Sequence, residues 1–183
     1  MKLILATTAL AALVPLSAAA SAVLTVGGPL SQLCYQAALG ADGRASALEA
    51  CTRALEEQSL AAPDKAATYV NRGIVLMSGG RFAEADADFD TALKLQKGLP
   101  DGWLNKGFLK LRQGDGRAAL PLIQKAIDDG AQNKALAIFA RGVAHEQIGE
   151  VGPAYSDLEY ARRLAPGWAL PRDYLASYRV RSQ

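Results

Sequence analysis

The sequence predicts an all-α protein, a solenoid of about four antiparallel helical hairpins closed by a C-terminal capping helix and preceded by a signal peptide. Three observations carry that expectation. Short motifs recur every 34 to 35 residues, alanine and leucine dominate while aromatics make up 7%, and few stretches alternate with the period of two that strands show. Half of the 183 residues are hydrophobic (50%), enough for one domain with a sizeable core. Lys and Arg number 20 against 18 Asp and Glu, for a net charge of +2. No strongly basic block is present to track a phosphate backbone, so nucleic acid is not an expected partner.

Residues 1–22, MKLILATTALAALVPLSAAASA, pair one Lys with an apolar run from Leu3 to Leu16 and end in small residues. That order describes a secretory signal cleaved after Ala22, leaving a domain over 23–183. Uncleaved, the same run would act as a membrane anchor, its length approaching the roughly 20 residues a span needs. No other segment is long and apolar enough for that, so no stable membrane insertion is expected after cleavage. The short alanine-rich signal points to export into a bacterial periplasm.

Within the domain, Tyr69-Val70-Asn71-Arg72-Gly73 and Trp103-Leu104-Asn105-Lys106-Gly107 match at a spacing of 34, and Ile138-Phe139-Ala140-Arg141-Gly142 follows 35 residues later. Each copy leads into a second pattern: Gly80, Ala85, Phe89 and Ala92; then Gly114, Ala119, Ile123 and Ala126; then Gly149, Ala154, Leu158 and Ala161. Two antiparallel helices in close contact account for this spacing. Gly73, Gly107 and Gly142 let the backbones approach, Phe89, Ile123 and Leu158 fill the space beside them, and the later glycines suit a left-handed turn. Pro100 opens the third hairpin and Pro166 ends the fourth.

These motifs resemble the tetratricopeptide-repeat (TPR) family, with Trp103 at the family's tryptophan position and Tyr69 replacing it one repeat earlier. Arg72, Lys106 and Arg141 stand where the family often has Leu, and Lys110 and His145 where it often has Tyr. Repeats are expected over about 28–61, 66–99, 100–133 and 135–168. The first is the poorest, keeping Ala47, Cys51 and Ala54 of the second-helix pattern. A capping helix over 171–180 would cover the last repeat through Tyr174, Leu175 and Tyr178, because each hairpin buries its apolar face only against a neighbour.

Cys34 and Cys51 fall opposite each other in the first hairpin, and export would place them in an oxidising compartment, so a disulfide is expected. Two buried free thiols are the alternative. The chain has one histidine, His145, at a packing position of the repeat, and no zinc-ligand set, calcium loop, phosphate loop or nucleophile elbow. Asp86, Asp88 and Asp90 read as a solvated helix surface. No cofactor and no enzymatic activity are expected.

The family resemblance implies that the first helix of each repeat lines a concave groove, which puts Val70, Ile74, Met77, Leu104, Phe108, Leu111, Phe139 and Val143 on that face, with Glu146 at its end. Asn71, Asn105 and Arg112 are the nearby polar groups. Such a row would receive an amphipathic helix or an extended apolar peptide from another protein. The alternatives are a structural subunit whose groove is permanently occupied, and a register in which these residues are core. Asn71 and Asn105 repeat at the spacing that resembles the clamp some chaperone-binding members use for a peptide's terminal carboxylate, but Leu136 and Ala140 stand where that clamp needs basic residues, so the asparagines are read as helix-to-helix hydrogen-bonding residues ahead of ligands.

Overall fold

A computed structural model of the chain describes residues 3–6, 20–25 and 27–181. Most of the expected signal peptide, residues 1–2 and 7–19, lies outside the described residues. Eight helices follow one another in pairs: α1 (Pro29–Leu39) with α2 (Ala45–Glu57), α3 (Ala62–Ser78) with α4 (Phe82–Leu95), α5 (Pro100–Arg112) with α6 (Gly116–Asp128), and α7 (Lys134–Gln147) with α8 (Val151–Leu164). A ninth, α9 (Ala169–Leu175), packs on α8. Prolines start α1, α3 and α5 within the first two helical positions, where a missing N–H costs nothing. Asp115 and Asn133 cap α6 and α7, their side-chain oxygens accepting from the N–H groups of Ala118 and Leu136.

The hairpin turns repeat one geometry. Gly80, Gly114 and Gly149 have φ of 78°, 77° and 81°, and the next residue donates its N–H back across the helix end, Arg81 to Leu76, Asp115 to Lys110 and Glu150 to His145, each at 2.9 Å. This is the six-to-one closure of a helix ending in a left-handed residue. The first hairpin makes the same closure, Asp42 N–H to the Ala37 carbonyl, with Ala41 at φ 47° in the glycine's place.

Register follows from the glycines on the first helices. A Cβ at Gly73 would lie 2.4 Å from Phe89 Cε1, and one at Gly107 would lie 2.5 Å from Ile123 Cγ1. Phe89, Ile123 and Leu158 are fully buried, each flanked by alanines that are fully buried too. Gly107→Leu is therefore expected to lower the thermal midpoint by several degrees, the overpacking cost of about 1–3 kcal/mol exceeding the helix-propensity gain. An unchanged midpoint would disprove the close approach of α5 and α6.

The first hairpin replaces that contact with a covalent one. Cys34 precedes the positive-φ Ala41 by the same seven residues that separate Gly73 from Gly80, Gly107 from Gly114 and Gly142 from Gly149. Cys51, between Ala47 and Ala54, takes the place of Phe89, Ile123 and Leu158. The two form a disulfide with a Cα–Cα separation of 4.6 Å, both buried.

Charged ties join the helices where the TPR pattern has leucine. Arg72 donates twice to Asp88 at 2.7 and 2.8 Å, and Arg141 twice to Asp157 at 2.7 Å. The equivalent acceptor position in the third hairpin is Leu122, and Lys106 instead reaches back to Asp86 at 3.1 Å and Asp90 at 2.5 Å in the preceding hairpin. The acidic run on α4 is thus divided: Asp88 is buried inside its own hairpin, while Asp86 and Asp90 link to the next. The expected solvated surface holds for Asp90, exposed even while it pairs with Lys106, and in part for Asp86, whereas Asp88 is buried against α3.

One departure concerns the chain's ends. Helix α9 stops at Leu175, and Tyr178–Arg181 forms a strand, β2, antiparallel to β1 (Leu3–Ala6), with Leu3 opposite Arg181 and Ala6 opposite Tyr178. The capping helix expected over 171–180 is therefore shorter, because its last part finds backbone partners in another strand and leaves the helical ladder.

The first helices touch one another across successive hairpins, α1 with α3, α3 with α5 and α5 with α7. Among the described residues no comparable contact joins the second helices. The stack consequently bends toward its first helices, which line its inner side.

Candidate functional site on the inner face

The eight apolar residues assigned to a groove all lie on the inner helices, Val70, Ile74 and Met77 on α3, Leu104, Phe108 and Leu111 on α5, and Phe139 and Val143 on α7. All are at most 4% exposed. They belong to the main hydrophobic cluster, and two further parts of the chain pack against that cluster: Ala20, Ala22 and Val23 from the N-terminal side, and Trp168, Leu170, Tyr174 and Leu175 from the C-terminal side. At the C-terminal end the rings of Trp168 and Tyr174 meet Phe139 edge-on at 5.0 and 5.1 Å.

Residues 20–25 are held on this face through two asparagines. Asn71 accepts from the Val23 N–H at 2.8 Å and donates to the Val23 carbonyl at 2.7 Å. Asn105 accepts from the Ser21 N–H at 3.2 Å and donates to the Ser21 carbonyl at 3.0 Å. A carboxamide carries one acceptor and two donors, so each side chain satisfies both backbone groups of one residue. The alternation of bonded residues, 21 and 23, is that of an extended strand, in which every second residue turns its N–H and C=O to the same side. Asn105 also donates to the Asp101 carbonyl one turn earlier at 2.8 Å, which orients it. The asparagines thus bond an extended segment, where the sequence suggested bonds between helices. The signal was their spacing of 34; what they would hold was not visible in the repeat.

Asp101, in the first turn of α5 and 3% exposed, completes the site by accepting from the Ser21 hydroxyl at 2.5 Å. Burial raises its carboxyl pKa, the Ser21 hydroxyl opposing that shift. Arg112 stacks over the Phe82 ring at 5.3 Å from its centroid, and desolvation lowers its pKa. His145 meets Glu150 at 2.6 Å through Nδ1. Among the described residues no group of three or more His, Cys, Asp or Glu is placed to hold a metal ion, and no helix is long and apolar enough to cross a membrane.

At the C-terminal end of the face, burial raises the Glu146 carboxyl pKa, with the Tyr178 hydroxyl acting the other way. A carboxyl whose folded pKa exceeds its unfolded value binds protons more tightly in the folded state. Its ionisation therefore costs stability as pH rises from the ordinary glutamate range through the raised pKa, and the cost persists above it. Glu146→Gln is expected to raise the thermal midpoint at pH 7.5 and to leave it unchanged below about pH 4, where both forms are neutral. A midpoint lowered at pH 7.5 would mean that the charged form is the stabilised one.

Four helical hairpins in register, their first helices on the inner side, three with a small-to-bulky contact and the first with a disulfide in its place, define a TPR-like solenoid. No protein-family model and no curated protein matches the chain. Solved structures of MamA are similar to it. One, the MamA RS-1 ArsTM double mutant, superposes with a TM-score of 0.60 at 22% identity over 81% of this chain and 82% of that one. Another, MamA from residue 41 to its end from Desulfovibrio magneticus RS-1, gives a TM-score of 0.59 at 21% identity over the same shares, 81% and 82%. At that identity the likeness is one of fold.

Proposed function

We propose that this protein is an exported, non-catalytic interaction module that binds a segment of another protein on the inner face of its solenoid. The observation carrying this reading is the burial of an extended segment on that face, with apolar contacts beneath it and both backbone groups of alternate residues bonded by Asn71 and Asn105. A surface that satisfies main-chain groups and buries small apolar side chains is chemically suited to an extended apolar peptide. The buried disulfide fits export to an oxidising compartment, a bacterial periplasm on the strength of the signal-like residues 1–22.

A second reading has support from the same coverage: a structural subunit of an envelope assembly, its inner face closed by its own chain and its contacts made elsewhere. Site-specific photo-cross-linking in the native cell envelope separates the two. A cross-linker at Leu24, 64% exposed on the inner-face segment, is expected to capture a defined protein, and one at Lys125 on the outer helix α6 is not. Capture from Lys125 alone would overturn the inner-face reading and favour the structural subunit.

A further inference from the structure

We propose that in the chain that retains residues 1–22, residues 20–25 are a displaceable internal plug on the inner face, and that the ligand replacing them is an extended peptide carrying a serine or threonine hydroxyl at the position of Ser21, selected by Asp101. The inference rests on the inner-face reading above and adds to it an occupant, a ligand class and a specificity residue.

The geometry separates two functions within the site. The Asn71 and Asn105 side chains hydrogen-bond main-chain atoms of the segment, so those bonds are open to any residue there that has an N–H and exclude proline. Asp101 touches a side chain: its carboxylate oxygen accepts from the Ser21 hydroxyl. Asn71 and Asn105 are fully buried and Asp101 nearly so. Leaving these groups without partners in a closed face is costly, whereas a second extended chain with a hydroxyl restores every bond. Alanine at position 21 would keep the asparagine bonds and strand the Asp101 carboxylate, which gives selectivity between two peptides of nearly equal size.

The ladder has two rungs because the position equivalent to Asn71 and Asn105 in the next repeat is Ala140, which has no side-chain donor or acceptor. The plug is held by few bonds, and Leu24 beside them is largely exposed, so a competing strand meets a limited barrier. Scission after Ala22 would fall between the rungs. It would leave Val23 on Asn71 and open the Asn105–Asp101 half to a ligand from outside.

Two measurements on the full-length chain test this. Amide hydrogen exchange is expected to be slowed at Ser21 and Val23, with Asn105→Ala releasing the first and Asn71→Ala the second; exchange at the free-peptide rate in the wild type would overturn the plug. Fluorescence anisotropy then uses the capped, fluorescein-labelled peptide of residues 20–25, ASAVLT, and its AAAVLT analogue. Ser21→Pro/Val23→Pro removes both N–H donors of the plug and is expected to strengthen ASAVLT binding by about tenfold or more. Asn71→Ala/Asn105→Ala in that background is expected to abolish the gain, and Asp101→Ala to remove the preference for ASAVLT over AAAVLT while binding persists. Should the alanine pair not fold, Asn71→Asp/Asn105→Asp, which keeps acceptors and loses donors, is expected to weaken binding in the same direction. Peptide binding indifferent to all three residues would overturn the inference, and a partner still cross-linked from Leu24 would show that the inner-face reading survives it.

Discussion

Phe108→Asp is expected to unfold the third hairpin. Read from the sequence, Phe108 faces a groove open to partners and a carboxylate there would be tolerated. In the structure the ring is fully buried within the main cluster, on α5 between the inner helices α3 and α7. Removing a buried Phe side chain costs about 3–5 kcal/mol in cavity and transfer terms, and an unpaired carboxylate left in that cavity adds a desolvation cost. The total is comparable with the whole stability of a domain, about 5–15 kcal/mol. Urea denaturation monitored by circular dichroism should show the loss directly, and the volume-conserving Phe108→Leu should cost less than about 1.5 kcal/mol. A Phe108→Asp variant with the wild-type midpoint would mean that the side chain faces open solvent.

Loss of the Cys34–Cys51 bond is the other large effect. The two residues are 17 apart in sequence, and closing a loop of that size stabilises the folded state by roughly 3 kcal/mol in the chain-entropy model. The effect should be local. In a linear stack each hairpin draws stability from its neighbours, and the first has α3 on one side only. Cys34→Ala/Cys51→Ala is therefore expected to release amide protection over α1 and α2 well before α5 to α8, and to lower the main unfolding transition by a smaller amount. Alanine avoids burying a new hydroxyl. Equal melting of oxidised and reduced protein, with α1 and α2 equally protected, would contradict a stabilising role for the bond.

Much of the architecture was legible because it repeats. A glycine on one helix and a bulky residue 16 positions later, Gly73 with Phe89 and Gly107 with Ile123, can be recognised without knowing what surrounds the hairpin. The same register placed Cys34 opposite Cys51. Asp88 was misread as solvated for a related reason. Its partner Arg72 stands at a position where the TPR pattern has leucine, and the pairing becomes visible only once α3 and α4 are packed. A Cβ at Gly43 would lie 2.6 Å from the Gly79 backbone nitrogen, a contact between the first turn and the end of α3 that no local pattern encodes.

By itself the sequence determined the hairpins, their register, the turns and the disulfide, because each depends on residues less than one repeat apart and recurs along the chain. Only the tertiary structure decided what lies on the inner face. Ser21 meets Asn105 across 84 residues and Val23 meets Asn71 across 48. These bonds go to backbone groups, which every residue except proline presents alike, so no side-chain pattern in residues 20–25 announces them. The apolar positions of the first helices are likewise buried in one cluster against which both the N-terminal segment and the C-terminal aromatics pack, and that is a property of the folded chain.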